Sequence, residues 1–512
     1  MANRFVAFCD RFSHHFRSRT HDSSVIAKHY LSGLMQANKK NMERMEEVVP
    51  NSDEQALQHF CSNSPWPERQ VLDQVALEAD EILGGHENSY LIVDEAGFSK
   101  KGDKSVGVSR QYNGRLGKVD NCQVGVFTAL ARDYKSTLID TRLYLSEKWA
   151  ENPSRCRDAG VPEDGIVYKK KVQLALEMIT CSRKLGLRFA WVAADGLYGH
   201  DTEFTYALDN VDETFIVDVH KDHKIFLEDP KPIVPDPQPG KGCPPKNLQA
   251  QTVSIRIDKW AASQPESTWH VEELRESTKG TIKVEVLQRR VWVWDGKEKK
   301  ARQWHLVIRR DYKPKTNPKR QRKINEELRP QADSKSQPMI ESEPHTDVNP
   351  EFPLEAELTP EEEDKSVPES EQQTKPKSTM KYSLSNAPED TSVHRLAFMQ
   401  GQRYWIEQAI KEGKSNAGMA DYQVRGWFGW HHHMALVMMA MLFMLRERDF
   451  LQPIKPLLSC SDIEGLLARF LPRRDVTVDE VIRQMEVRHR KRQASTDSAY
   501  RKQKKCAADS FP

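Results

Sequence analysis

The chain of 512 residues is 38% hydrophobic and 30% charged and holds 28 prolines, so it can bury a real core yet must carry long exposed stretches. Its net charge of +2 hides a segregation: residues 341–371 are acidic, whereas 313–323 and 473–505 are dense in Lys and Arg, as suits contact with phosphates. The eight cysteines, at 9, 61, 122, 156, 181, 243, 460 and 506, show no CxxC spacing, which argues against a structural zinc site and against a secreted disulfide scaffold.

At the N-terminus Arg4, Asp10 and Arg11 interrupt any apolar run, so no signal peptide is expected. Residues 1–88 read as a helical domain, with apolar spacing in Ile26, Tyr30, Leu31 and Leu34 and again in Val71, Val75, Leu77 and Ile82, closed by Gly84-Gly85. Residues 89–220 then read as a strand over Tyr90–Val93, strands over Cys122–Ala131 and Ser136–Leu145, a helix over Val167–Leu185, a strand over Phe189–Ala194, a helix, and a last strand over Thr214–Val219. Three antiparallel strands followed by a helix and a parallel strand is the order of a ribonuclease H-like core. Residues 221–312 read as a β-rich insertion, with strands over Thr252–Ile257, Ile282–Trp294 and Gln303–Arg309 and a hairpin turn at Asp295-Gly296. Residues 313–390, rich in Pro, Glu, Ser and Lys and poor in aromatics, read as a disordered linker. Residues 391–450 complete the core. Their most apolar stretch, Met434–Leu445, is too short for a bilayer and reads as a buried helix. Residues 451–512 read as a helical, basic C-terminus, with one helix over Val478–Gln493.

Three acidic residues stand out by setting. Asp94 and Asp195 end short apolar strands, and Glu407 lies far downstream on a polar helix. Two strand carboxylates and one helix carboxylate are a means of holding two divalent metals, about 4 Å apart, against a phosphodiester. The helix adds Arg403 and Lys414, which at about 100° per residue fall on the same face as Glu407. An exposed helix laced with an Arg403–Glu407 ion pair is the bland alternative.

Longer words of sequence decide between these readings. DEAGFSKKGDKSVGVSRQYNGRLGKVDNCQVGV (94–126) resembles the first catalytic block of the IS701-type insertion-sequence transposases, distant relatives of the IS4 group. AADGLYG (193–199) resembles their second block, YQVRGWFGWHHHMAL (422–436) their C-terminal signature, and YLSGLMQANKKNMERMEEVVPNSDEQALQHF (30–60) their leader region. The resemblance implies a bacterial DDE transposase that binds terminal inverted repeats, cleaves DNA at the element ends and joins the 3′-hydroxyls to target DNA by two-metal phosphoryl transfer. It implies a helical N-terminal DNA-binding domain, catalytic and metal-ligating Asp94, Asp195 and Glu407, two Mg²⁺ ions for which Mn²⁺ could substitute, a homodimer in the synaptic complex, and a cytoplasmic, nucleoid-associated location without a membrane. Related IS4-type enzymes carry a Tyr-Arg-Glu-Lys pattern with the spacing of Arg403, Glu407 and Lys414, but the tyrosine position here is Gln400.

The remaining DNA-contact candidates are Lys100, Lys101, Arg110 and Lys118 downstream of Asp94, Trp292 and Trp294 in the insertion, and Arg425 in the C-terminal signature. Trp304 in the same insertion could stack on a base as well, and for any one of the three tryptophans a core role is the commoner reading. Asp140 and Asp218 lack a following glycine loop and read as structural, and Glu412 is the nearest decoy to Glu407. His431-His432-His433 diverge by about 100° per residue and cannot all ligate one ion, which leaves His433 to packing or a phosphate. A transposase-derived regulator without cleavage activity, or a structure-selective nuclease on the same core, are the alternatives.

Overall fold

In the computed structural model the described residues are 1–114, 116–236, 245–277, 280–312 and 378–508. The chain divides into Met1–Arg309 with Lys381–Pro512, and a second unit, Arg310–Met380, of which only the strand ends 310–312 and 378–380 are described.

The N-terminal region is helical, as the apolar spacing predicts. Helices Ala2–Arg11, Ser24–Gln36, Met42–Val48, Glu54–Ser62 and Glu68–Leu83 follow one another. Asn41 and Asp53 start two of them by accepting hydrogen bonds from the Arg44 and Ala56 backbone amides at 3.0 and 2.8 Å. The buried stripe of the last helix is Val71, Leu72, Val75, Ala76, Ala79 and Leu83. Leu77 faces out at 44% exposure, because i, i+4 spacing selects 71, 75, 79 and 83 rather than 77.

Strands β1 (Ser89–Ser99), β2 (Ser109–Asn113), β3 (Lys118–Arg132), β4 (Lys135–Leu143), β5 (Trp191–Ala194) and β6 (Phe215–Asp218) follow. β1 and β4 are antiparallel to β3, β5 is parallel to β1, and β6 is parallel to β5. The spatial order β4-β3-β1-β5-β6 in a mixed sheet flanked by helices is consistent with a ribonuclease H-like core. The helix that leads to β5 spans Lys171–Lys184, four residues shorter at its start than the sequence predicts.

Two expectations require correction. Thr252–Ile257 was expected as a strand, but only Ile255–Arg256 (β8) pairs, with β7 (Lys224–Ile225). At Ile257 a short helix begins instead, held by backbone bonds from Ile257 to His223 and from Asp258 to Lys221, with Asp258 placed at the favourable positive end of its first turn. The turn expected at Asp295-Gly296 lies, as the sequence suggests, between two neighbouring hydrogen-bonded strands. β10 (Gly280–Val293) and β11 (Arg302–Tyr312) are joined by the whole stretch 294–301, in which Gly296 takes a φ of +78°. The linker, expected over 313–390, ends earlier than its composition suggests: β12 (Ser378–Ser385) pairs antiparallel with β6 and buries Ser383, Leu384 and Ser385. Its serines are tolerated there because Ser383 donates to Asp218 and Ser385 to the Phe215 carbonyl. The rest of that expected linker, 313–377, lies outside the described residues.

β12, β11, β10 and β9 (His270–Ser277) continue the same sheet beyond β6, so the β-rich stretch extends the core sheet. Helix Trp427–Leu451 runs through the middle of the fold. By length and composition it could cross a membrane, but Gly429–Leu445 are buried against helices Ser24–Gln36, Glu54–Ser62 and Glu68–Leu83 and against β4. The C-terminal helix Val478–Ala508 runs well past the Gln493 expected from its pattern.

Candidate active site

The register of two parallel strands places the first pair of carboxylates. Val93 of β1 is opposite Ala194, the last residue of β5; Asp94 follows on β1, and Asp195 is the first residue after β5. Adjacent strands lie about 4.8 Å apart, so the two carboxyl groups are neighbours. β1 continues against β3, with Asp94 opposite Phe127. The other strand stops, and Asp195 caps a helical turn, Gly196–Gly199, by accepting from the Leu197 amide at 2.9 Å. That turn lies tightly on β6: a Cβ on Gly199 would run into the Asp218 carbonyl.

Burial pushes the Asp94 carboxyl up to about 8, the Asp195 charge adds to the rise, and Arg403 partly offsets it. Asp195 is raised by burial and by Glu95. Two carboxylates forced together in a partly dry cleft are a ready seat for a cation.

Facing them is helix Tyr404–Asn416, which buries Ile406, Ala409, Ile410 and Gly413 and packs on β1, β3 and β4. Arg403 is its N-cap residue, already in helical conformation, so the one-face geometry predicted for Arg403, Glu407 and Lys414 holds. The guanidinium contacts Glu407 at 2.7 Å, Asp218 at 3.0 Å and Asp94 at 3.8 Å. Burial alone would lower the Arg403 pKa, but Asp218, Glu407, Asp94 and Asp195 raise it on balance. Lys414 donates to the Gly97 carbonyl at 3.3 Å and lies over the Phe98 ring. Asp94, Glu95, Asp195, Arg403, Glu407, Lys411 and Lys414 line one open cleft of about 960 Å³, edged by Tyr112 and Gly114 of the β2–β3 hairpin.

Among the described residues, no three Asp, Glu, His or Cys side chains stand close enough to ligate one ion as they are, because Glu407 is turned onto Arg403. The donor set is nevertheless of the right chemistry: all oxygen, all carboxylate and mutually repelling, as magnesium or manganese prefers. Asp94 and Asp195 fit such ions directly, and Glu407 fits once it leaves the guanidinium.

The other predicted contacts are elsewhere. Lys100 lies 3.4 Å over the Tyr422 ring, and burial lowers its pKa to about 8. Lys101, Arg110, Lys118 and Arg425 are exposed but do not line the cleft. Trp292 is half-buried in β10, Trp294 donates to the Glu298 carbonyl, and Trp304 is buried edge-on against Tyr206 and Phe215. None of the three reaches the cleft. Glu412 turns away from it, to Cys460 and Arg448. The phosphate role offered for His433 does not stand: the ring is fully buried between the Tyr30 hydroxyl and the Gly418 carbonyl, and burial takes its pKa down to about 3. His432 sits between the Cys61 and Trp66 carbonyls, and His431 bonds the Trp427 carbonyl, so the three rings diverge into the core.

Sequence reasoning missed four residues that border the carboxylates. Glu95 reaches the cleft although strand alternation would send it to the opposite face from Asp94, and it is bonded by Lys171 at 2.9 Å and Tyr198 at 3.3 Å. Asp218, read as merely structural, holds Arg403. The tyrosine of AADGLYG was a visible signal for Tyr198. Asp218 was visible as a strand carboxylate but not as a partner of Arg403, and nothing in the sequence marked Lys171. Gln400, at the departed tyrosine position, faces the core and donates to Ser383 and to the Val307 carbonyl.

Residues 8–281 match the family described as DDE superfamily endonuclease, just over half of the chain, ending before the Glu407 helix. The chain is also 29% identical over 232 residues to a protein from Microchaete diplosiphon described as a probable transposase for insertion sequence element IS701. That alignment takes in 43% of this chain and 56% of the relative, so the chain spans little more than half the relative's length.

Proposed function

The chain belongs to the DDE superfamily of endonucleases, and on that premise we propose that it is the DNA transposase of an insertion sequence. In this reading it binds the terminal inverted repeats, cleaves DNA at the element ends and joins the freed 3′-hydroxyls to target DNA. The supporting observation is the cleft in which Asp94 and Asp195, side by side on parallel strands, face Glu407, Arg403 and Lys414 on one helix.

Endonucleases of this superfamily use divalent metal ions. Two magnesium ions, or manganese in their place, would supply an activated oxygen nucleophile and charge stabilisation for the leaving oxygen. Asp94 and Asp195 would hold them, and Glu407 would complete one shell. Asp94, which holds a proton unusually tightly in the free site, would release it as the cations bind. Arg403 and Lys414, on the same face of the helix, would grip the phosphate to be cut, where fixed cations cost no reorganisation during the reaction. Lys101, Arg110, Lys118 and Arg425 would extend the phosphate track along the DNA, with Lys100 supporting it through Tyr422. Two copies of the chain would act together, one on each element end.

The test uses DNA flanking this gene. The purified chain with Mg²⁺ should cut at the boundaries of inverted repeats there, leave 3′-hydroxyl ends and join them to a plasmid target. Failure to cut those flanks in Mg²⁺ or Mn²⁺, by a folded chain that binds them, would overturn the reading in favour of a transposase-derived DNA-binding regulator.

A further inference from the structure

We propose that Asp218 is a positioning residue that anchors Arg403 over the cleft, so that the guanidinium stays in place for a DNA phosphate when Glu407 is released to a metal ion. The inference rests on the transposase reading and adds one working part to it.

Glu407 has two incompatible tasks. As it stands, its carboxylate takes the Arg403 guanidinium at 2.7 Å. To complete a metal shell with Asp94 and Asp195 it must let go. Glu407 is half exposed, so water can replace the guanidinium on its carboxylate when it turns away. The difficulty lies with Arg403. Left with the cleft carboxylates alone, it would follow Glu407 or settle on Asp94, and compete with the metal for both.

Asp218 removes that difficulty. It is the last residue of β6 and stands opposite Ser383 of β12. The Ser383 hydroxyl donates to Asp218 Oδ1 at 2.7 Å, and Arg403 Nε donates to Oδ2 at 3.0 Å. Ser383 in turn accepts from Gln400 Nε2 at 2.8 Å. Ser383 and Gln400 are buried, so the chain from Gln400 through Ser383 to Asp218 is fixed by the core, and each bond polarises the next. A guanidinium held at Nε keeps both Nη groups, the fork suited to phosphate, turned toward Asp94 and Glu407 and hence into the cleft.

The experiment is a double-variant cycle on the full chain, read by Mn²⁺ binding (electron paramagnetic resonance, no DNA) and by affinity for end DNA without metal. Asp218→Asn should weaken both by about tenfold, the loss expected for a charge-assisted hydrogen bond. Ser383→Ala, which leaves every charge in place, should weaken them in the same direction by about threefold. In an Arg403→Gln background neither change should have a further effect, because the residue being anchored is gone. Equal effects of Asp218→Asn with and without Arg403 would mean a role in folding or in general charge, and would overturn the proposal. If Asp218→Asn does not fold, Ser383→Ala with Arg403→Gln makes the same cycle. A wild-type chain that binds no Mn²⁺ and cuts no end DNA would overturn the transposase reading and the anchor with it. A wild-type chain that does both, with additive variants, overturns the anchor alone.

Discussion

Asp94 and Asp195 occupy the same rank of two adjacent parallel strands, each one residue past the last paired position, Val93 opposite Ala194. Asp94 lies within β1, and Asp195 stands at the junction of β5 and the helical turn that follows it. The hydrogen-bond ladder of the sheet fixes their separation, and the tight seating of Gly199 on the Asp218 carbonyl fixes the turn that Asp195 caps.

Replacing Asp94, Asp195 or Glu407 by Ala should lower cleavage of end DNA by at least about a thousandfold, since several kcal/mol of charge stabilisation would go with each. Binding to end DNA should change little, because that footprint is spread over many phosphates. Gel-shift and cleavage assays on one substrate separate the two. Near wild-type cutting by Glu407→Ala would remove the helix from the assignment.

The raised Asp94 pKa makes a stability prediction with a definite sign. Unfolded, the group titrates near 3.8; folded and metal-free, near 8. Between those values the folded state binds more protons, so this group's stabilising contribution is full below about pH 4 and is lost as pH rises through about 8. The metal-free chain should therefore melt at a lower temperature at pH 8 than at pH 5, and Asp94→Asn should flatten that slope. Added Mg²⁺ should restore the wild type at pH 8 and leave Asp94→Asn nearly unmoved. A melting profile identical in both proteins would contradict this origin of the pH dependence.

Gly199→Ala should destabilise the chain by about 1–3 kcal/mol, the usual cost of overpacking, because the added methyl meets the Asp218 carbonyl and lies 3.0 Å from Val217 Cβ. Its effect on cleavage should exceed its effect on stability, since the displaced turn carries Asp195 and Tyr198. Denaturant melts beside cleavage rates measure both. Cleavage reduced only in proportion to the unfolded fraction would count against the coupling.

The basic C-terminal helix is divided in its use of charge. Arg483 pairs with Glu46, Arg488 with Glu47 and Lys491 with Glu54, all on the N-terminal helices, while Arg490, Arg492, Arg501 and Lys504 are exposed. Removing residues 493–512 should weaken end and random DNA alike and flatten the dependence of log affinity on log salt by about 0.9 per lost contact. Arg488→Ala should leave that slope unchanged and cost under about 1 kcal/mol of stability. A salt slope unaltered by the truncation, with a changed oligomeric mass, would assign the tail to contacts between copies instead.

Much of this was legible in sequence because it is written locally. Apolar runs ending in Asp94 and Asp195 announce strands, 3.6-residue spacing announces the N-terminal helices and the Arg403–Glu407–Lys414 face, and the composition of Met434–Leu445 announces a buried helix. Each signal depends on nearest neighbours along the chain. The short strand around Ser383 went unread for the same reason: its pairing partner, β6, is 165 residues away, and its own composition matches the polar stretch before it.

What only the tertiary structure decided is which charges meet. The sequence by itself determined that two strand carboxylates and an Arg-Glu-Lys helix exist. Parallel pairing of β1 with β5 brought the aspartates together, and β12 against β6 set Asp218 under Arg403. The same packing buried the three histidines, kept the tryptophans from the cleft and turned Arg483, Arg488 and Lys491 of the basic tail onto acidic helices. Those outcomes depend on long-range closure of the sheet, whose energy comes from burying apolar faces. Polar side chains go where that closure carries them, and short polar words in a sequence hold no record of the destination.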